Sequence, residues 1–457
     1  MTMKLSTKKP IGWNASVYYR ILQPTIAMAN MGLIEPFIDD GSRDLSLETV
    51  AMAAAHSDIF WDYQRVDEGF EIISRTNATR KSYWRSDKTW GTAPILVMDT
   101  DDDLFNVLPL NPAFRFLGWH VNGKPLEEKQ YVAIEMNDGS KAVLYQDGMR
   151  GFDVKKNHET VNQFRRNLGV ADLVTCSTPR VEQYVKREVP DANTFVIPNC
   201  INFNDYPKVE LAEHPDEIRI FWQGSTTHHE DMHPLRHVMA KVSEKYPNVK
   251  WIFWGAHYKW LTDMLPADRV EFIPWCDYTE YKLRLSMLNF DINLAPLHPA
   301  LFNQSRSAIK VYEAAALTRP VMSIAQKTGA YADELIEGET ALLFETPEEF
   351  EAQLCRAIED AALRKQLGEN MKQWLRDNRD PFVWARALAE KMESLVIKRK
   401  ELVGQPEEIA DGVPDDGEDL RAGEDRSGGG GGEAADHGDA GPSGACATGG
   451  LPEVEPA

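Results

Sequence analysis

Cysteine is sparse in this 457-residue chain: Cys176, Cys200, Cys276, Cys355 and Cys446 stand far apart and are odd in number. Without a CxxC pair, neither a zinc site nor a disulfide framework is expected, and scattered thiols suit a reducing cytoplasm. No apolar run approaches the roughly 20 residues needed to cross a bilayer, so any membrane contact would be peripheral. The opening Met-Thr-Met-Lys-Leu-Ser-Thr-Lys-Lys-Pro lacks the apolar core of a signal peptide. Positive charge is also short. Fifteen acids against two arginines from Glu401 onward give -13 of the net -21, leaving -8 over the first 400 residues. Nucleic-acid binding relies on counterion release by Lys and Arg. It would need a local groove, for which only the basic residues around 75–88 and 155–166 are candidates.

What is present is ordinary globular composition, 43% hydrophobic and 26% charged. The length suggests two domains of roughly 200 residues each and something more. The extra part is the tail, 401–457, acidic and Gly-rich, with Asp415, Asp416, Glu418 and Asp419 and a glycine run at 428–432. It has too few large apolar residues to offset ordering entropy and is expected to be disordered.

Upstream, strands and amphipathic helices alternate. Strands are expected at 218–222, 251–254, 270–273, 291–295, 321–324 and 341–344, with helices at about 232–245, 279–288, 305–317 and 347–362. Such alternation implies βαβ units and a parallel sheet covered on both faces. The first half repeats the theme less cleanly, with strands at 95–99, 172–176 and 194–197. Asn122-Gly123 and Asn137-Asp138-Gly139 are hairpin turns, which places a β-hairpin insertion at about 118–148. The expected division is 1–210, 211–380, and a terminal helix 381–400 that crosses back to the first domain. Asp380-Pro381 breaks the helical pattern.

The segment 301–344, LFNQSRSAIKVYEAAALTRPVMSIAQKTGAYADELIEGETALLF, carries the most chemistry. Ser305 or Ser307 can cap a helix whose Lys310 and Glu313 share one face. A helix N-terminus at a sheet's carboxyl edge suits a diphosphate, and an acid further along can accept ribose hydroxyls. A surface helix with an ordinary Lys/Glu pair fits the spacing equally well. After the strand at 218–222, the turn Gly224-Ser225-Thr226-Thr227 can wrap phosphate. His228, His229, His233 and Asp231 beside it could instead ligate a metal, or simply face solvent. At 99–103, Asp99, Asp101, Asp102 and Asp103 crowd a strand end, where mutual repulsion raises some carboxyl pKa values. Such acids serve as bases, metal ligands or hydroxyl acceptors, or else cap a solvated turn.

The 301–344 segment resembles the donor-binding signature of retaining GT-B glycosyltransferases of family four, the glycosyl transferases group 1 type. The resemblance rests on Phe302, Asn303, Ser307, Lys310, Glu313, Ala314, Ala315, Ala316, Pro320, Val321, Gly329, Gly338 and Leu342. It implies two Rossmann-like domains facing across a cleft, the first for the acceptor and the second for a nucleotide sugar. Glu313 would hold the ribose, while Lys310 and the helix start face the diphosphate. Gly224, Ser225, Thr226, Asn303 and Ser307 would line the donor site. Gly329 and Tyr331 would approach the sugar, and Trp275 would lie by the nucleobase or in the core. The opening Gly12-Trp13-Asn14 and Tyr18-Tyr19-Arg20 resemble the family's first cleft-facing segment. Tyr19, Arg20, Asp99, Asp101 and Asp102 would then face the acceptor or the cleft, Arg20 pairing with a phosphate or with the acids.

Asp102, Lys310 and Glu313 are the expected catalytic set, with no metal and no cofactor besides a UDP- or GDP-sugar co-substrate. A glycan, a lipid-linked molecule or a protein is the expected acceptor. Two departures stand out: Ser305 replaces the first of the family's two glutamates, and Thr318-Arg319 replaces a Gly-containing pair. Three rival readings share this architecture: a sugar-nucleotide epimerase, a non-catalytic nucleotide-sugar binder and a DNA-base glycosyltransferase.

Overall fold

A computed structural model describes residues 2–8, 15–39, 57–64, 66, 67, 70, 94–135 and 141–404. Gly12, Trp13 and Asn14, the basic stretch 75–88, the Asn137-Asp138-Gly139 turn and the tail beyond 404 lie outside the described residues.

The first lobe opens with β1 (Met3–Lys8), β2 (Ile34–Asp39), β3 (Ile59–Tyr63) and β4 (Ile95–Thr100). Two antiparallel ribbons follow, β5 (His120–Val121) with β6 (Lys124–Pro125) and β7 (Tyr131–Glu135) with β8 (Lys141–Gln146). Asn122 and Gly123 turn the first ribbon with φ of 51° and 76°, the left-handed pair that suits a two-residue hairpin. β9 (Leu173–Cys176) and β10 (Thr194–Val196) complete a parallel sheet of order β10-β9-β4-β3-β1-β2. All six residues of β4 and all four of β9 are buried, as expected where helices cover both faces.

The second lobe is one uninterrupted βαβ series: β11 (Ile218–Gly224), β12 (Val249–Gly255), β13 (Val270–Ile273), β14 (Ile292–Ala295), β15 (Met322–Gln326) and β16 (Leu342–Phe344). Its order, β13-β12-β11-β14-β15-β16, reverses between β11 and β14. In open α/β sheets, ligands bind outside the carboxyl ends of the strands at such a reversal. One face of the sheet buries Trp222, Trp251, Phe253, Met239 and Leu354. The other buries Phe221, Ile252, Trp254 and Ala315, and its cluster takes in Tyr19 and Tyr206 from outside the lobe.

Local capping explains several helix starts. Asp277 accepts from Thr279 N at 2.8 Å before the helix Tyr278–Met287, and Asp360 accepts from Leu363 N at 2.8 Å before Ala361–Asn378. The helix expected from Ser305 differs. It spans Ile309–Ala316, and the residue before it, Ala308, offers no side-chain cap. Leu301–Gln304 forms a separate helical turn, and both serines are otherwise engaged: Ser305 Oγ donates to Phe302 O at 2.9 Å, and Ser307 Oγ accepts from Asn199 Nδ2 at 2.7 Å.

The last described helix, Pro381–Gly404, follows the break at Asp380 and crosses to the first lobe. There Ala385, Leu388, Ala389, Met392 and Val396 bury themselves with Met3, Leu5, Val17, Ile34 and Ile95. Lys400 Nζ pairs with Asp58 at 3.1 Å, and Arg399 pairs with Asp172. Among the described residues, no helix is long and apolar enough to cross a membrane.

Candidate active site

Side chains from both lobes meet at the β11/β14 reversal. β11 ends in Gln223 and Gly224, where a Cβ on Gly224 would lie 2.7 Å from the Trp222 ring and 2.9 Å from that of His228. Next to it, Gly255 holds φ +101°, and its Cβ would stand 2.5 Å from Gly224 O and 2.6 Å from Trp275. Only glycine allows this approach. Beyond Gly224, Ser225 Oγ lies 2.7 Å from Thr227 Oγ1 and closes a short turn that leaves Thr226 exposed.

Glu313 occupies the floor, with only 4% of its surface exposed. Its Oε1 accepts from the Tyr19 hydroxyl at 2.8 Å, and its Oε2 lies 2.7 Å from the Tyr281 hydroxyl and 3.2 Å from Gln223 Nε2. Burial raises this carboxyl above the usual range, while the tyrosine and glutamine hydrogen bonds pull it back. Nearby, Lys282 Nζ sits 3.7 Å from the centre of the Tyr18 ring and 4.9 Å from that of Tyr19, and pairs with Asp205 at 2.6 Å. A single π turn, Tyr18–Leu22, delivers both tyrosines from the first lobe.

Two cations precede Glu313, Lys310 one helical turn before it and Arg306 in the loop that leads into the helix. Lys310 Nζ stands 3.0 Å from His228 Nε2, and Arg306 Nη1 lies 3.5 Å from the same atom. His228 Nδ1 is 2.5 Å from Asp231 Oδ2. Burial, aided by the charge of Arg306, brings the lysine down to about 7. Burial and the Lys310 charge bring the His228 imidazole down to about 4, so it is neutral. Arg306 Nε also reaches across the cleft to Asp102 Oδ1 at 3.3 Å.

The acid cluster divides in two. Asp102 faces Arg306. Burial, and then the charge of Asp102, push Asp101 up to about 7, and it accepts a hydrogen bond from Tyr63. Of the two partners expected for Arg20, the acid cluster is the one it meets, but the expectation that Arg20 and Asp99 face the cleft is corrected. Both side chains are fully buried in a bidentate pair of 2.9 and 2.8 Å. Thr175 Oγ1 adds a bond to Asp99 at 2.6 Å, and Asn199 Oδ1 accepts from Arg20 at 3.1 Å. The planar guanidinium saturates the carboxylate, leaving neither group free for a ligand.

Two further expected contacts, Asn303 and Tyr331, are placed differently. Asn303 is buried and donates to Asp231 Oδ1 and His298 O at 3.0 Å, so it braces a turn. Tyr331 lies in the core with Ala308 and Leu335. Of the two places expected for Trp275, the core is removed, since 64% of it is exposed. Gly329 backs onto the cleft segment, where its Cβ would fall 2.2 Å from Gln304 O. His229 and His233 stack on each other at 5.4 Å and against Trp260, so they do not converge with His228. Among the described residues, no three His, Cys, Asp or Glu side chains are grouped to hold a metal ion.

Residues that sequence reasoning missed include Arg306, Gln223, Tyr281 and Lys282. Arg306 had a signal, as a second cation four residues before Lys310. The others meet Glu313 only through the fold.

Two further sets of bonds join the lobes. Thr178 Oγ1 donates to Ser305 O at 2.9 Å, and Arg180 pairs bidentately with Asp333 at 2.7 and 2.8 Å. Two parallel α/β lobes closed about a cation-lined reversal point are the GT-B architecture. Sucrose-phosphate synthase from Thermosynechococcus elongatus is similar in fold, with TM-score 0.54 and 12% identity over 86% of this chain and 99% of that one. Anabaena HepE (Alr3699), in complex with UDP and glucose, gives 0.53 and 14% over 86% and 100%. A glycosyltransferase from Rickettsia africae gives 0.55 and 10% over 87% and 99%. Residues 217–360, most of the second lobe, match the family model of Glycosyl transferases group 1. A group 1 domain on this architecture supports a GT-B glycosyltransferase. Comparison with curated proteins gives no match in sequence.

Proposed function

We propose that the protein moves a hexosyl group from a UDP- or GDP-sugar to a hydroxyl of a glycan, lipid-linked or protein acceptor, with retention at the anomeric carbon. The observation that carries this reading is the arrangement of Glu313, Lys310 and Arg306. An acid that already accepts a hydroxyl lies one helical turn beyond Lys310, and Arg306 from the preceding loop meets the same imidazole as Lys310, all at the β11/β14 reversal.

In this reading Glu313 takes the ribose hydroxyls, and the two cations and the Gly224-Ser225-Thr226 turn take the diphosphate. Trp275 lies by the base. The bond from the anomeric carbon to the diphosphate breaks as the acceptor oxygen bonds to the same face. The acceptor proton passes to a departing phosphate oxygen. The protein's work is electrostatic, since Lys310, Arg306 and free N–H groups at the start of the Ile309–Ala316 helix stabilise charge growing on the leaving group. Asp102, at the mouth of the cleft, is assigned to the acceptor hydroxyl. The first lobe, 1–210, serves the acceptor and the second, 211–380, the donor, while closure excludes water and so favours transfer over hydrolysis. Cys176, Cys200, Cys276 and Cys355 are free thiols, for which a reducing cytoplasm is suitable.

The test is a thermal-shift panel of nucleotides and nucleotide sugars on the wild type and Glu313→Ala. A UDP- or GDP-compound is expected to raise the wild-type melting temperature and leave the variant unmoved. No response from the wild type, or an equal response from both, removes the reading.

A further inference from the structure

The contact between Lys310 and Asp231 is indirect, and the way it is made has a chemical consequence. Asp231 Oδ1 accepts from His298 N at 2.6 Å and from Asn303 Nδ2 at 3.0 Å, which leaves Oδ2 for His228 Nδ1 at 2.5 Å. Hydrogen bonding from His228 holds the buried Asp231 below the usual carboxylate range, so it is ionised and can only accept. Nδ1 therefore carries the proton. In a neutral imidazole Nε2 then presents a lone pair, and Lys310 Nζ donates to it across 3.0 Å.

We infer that Asp231 and His228 are positioning residues that fix Lys310 at the diphosphate site through a neutral imidazole, so that its charge stays available to the donor. This rests on the donor reading above. A carboxylate in direct contact would fix the lysine equally well, but it would cancel the charge that the diphosphate needs. The interposed ring separates the two tasks. The charged or titratable groups facing the lysine are Asp231 and His228 from the β11 turn, Arg306 from the preceding loop and Glu313 from its own helix.

The inference distinguishes substitutions that a purely structural role would treat alike. His228→Gln offers a neutral oxygen to Lys310. His228→Glu offers a charged one at similar reach. Asp231→Asn keeps the volume but reverses the proton. Its oxygen must stay on His298 N, so its N–H group faces Nδ1, and Nε2–H then points at the lysine.

Affinities for UDP and for inorganic pyrophosphate, measured by calorimetry near neutral pH, test this, with melting temperatures as a check on folding. His228→Gln should bind both within about threefold of wild type, while His228→Glu and Asp231→Asn should each lose about tenfold or more. Glu313→Gln should lose UDP but keep pyrophosphate, which has no ribose. If Asp231→Asn binds like wild type, or His228→Glu binds as well as His228→Gln, the positioning role is wrong and the donor reading stands. If wild type binds neither probe, both fall.

Discussion

The hydroxyl of Tyr19 lies 2.8 Å from Oε1 of Glu313, a hydrogen bond between opposite lobes. The acid assigned to ribose hydroxyls thus already holds one. Tyr19→Phe removes a bond to a buried charged group and should cost about 1.5–3 kcal/mol, read by urea denaturation. It also frees Oε1, so UDP affinity measured by calorimetry should rise a few-fold. Weaker binding in this variant would make Tyr19 part of the donor site rather than a stand-in for the ligand.

Arg20 and Asp99 should behave as framework. Breaking a fully buried pair leaves an uncompensated charge, so Asp99→Ala is expected to destabilise by about 3–5 kcal/mol. The melting temperature should fall steeply, while the protein that remains folded binds nucleotide as before.

Lys310 sets a pH limit on diphosphate binding. Its pKa is depressed to about 7, so the unliganded lysine is charged below that pH and loses its proton above it. Affinity should therefore weaken as pH rises through 7. The phosphate's own ionisation is removed by dividing by Lys310→Arg, whose guanidinium stays charged throughout. The wild-type to variant ratio of association constants should fall with rising pH, and a flat ratio would contradict the assignment.

Gly329 has φ +48°, and a Cβ there would meet Gln304 backbone atoms at 2.2 to 2.6 Å. Gly329→Ala combines backbone strain with overpacking and should cost about 1–3 kcal/mol. The displaced segment is the one that carries Arg306 and Lys310. Loss of UDP binding should therefore accompany a drop in melting temperature.

The second lobe was legible because its strands are buried on both faces and read as apolar runs, such as Ile-Phe-Trp at 220–222 and Trp-Ile-Phe-Trp at 251–254. The start of the first lobe was not. β1 reads Met-Lys-Leu-Ser-Thr-Lys, and its buried Ser6 bonds to Ser57, a partner that no local pattern reveals. β2 is an edge strand interrupted by Pro36. At the site, spacing put Lys310 and Glu313 on one helix face, and only the family resemblance singled them out, while most of their surroundings stayed hidden. Gln223 and Tyr281 bond to Glu313 from elements far apart in the chain, and Lys282 pairs with Asp205 beside them; Tyr19 alone was expected at the cleft. The serines at 305 and 307 are not caps because Ser305 Oγ donates to Phe302 O and Asn199 of the first lobe claims Ser307 Oγ.

The placement of Ala385, Leu388, Met392 and Val396 beside Met3 and Leu5 bears on the order in which the polypeptide matures. A nascent chain can assemble its later half from neighbours in sequence. The earlier half keeps an apolar stripe uncovered until the helix Pro381–Gly404 leaves the ribosome. Translation thus finishes the lobe it began first only after the other is already complete.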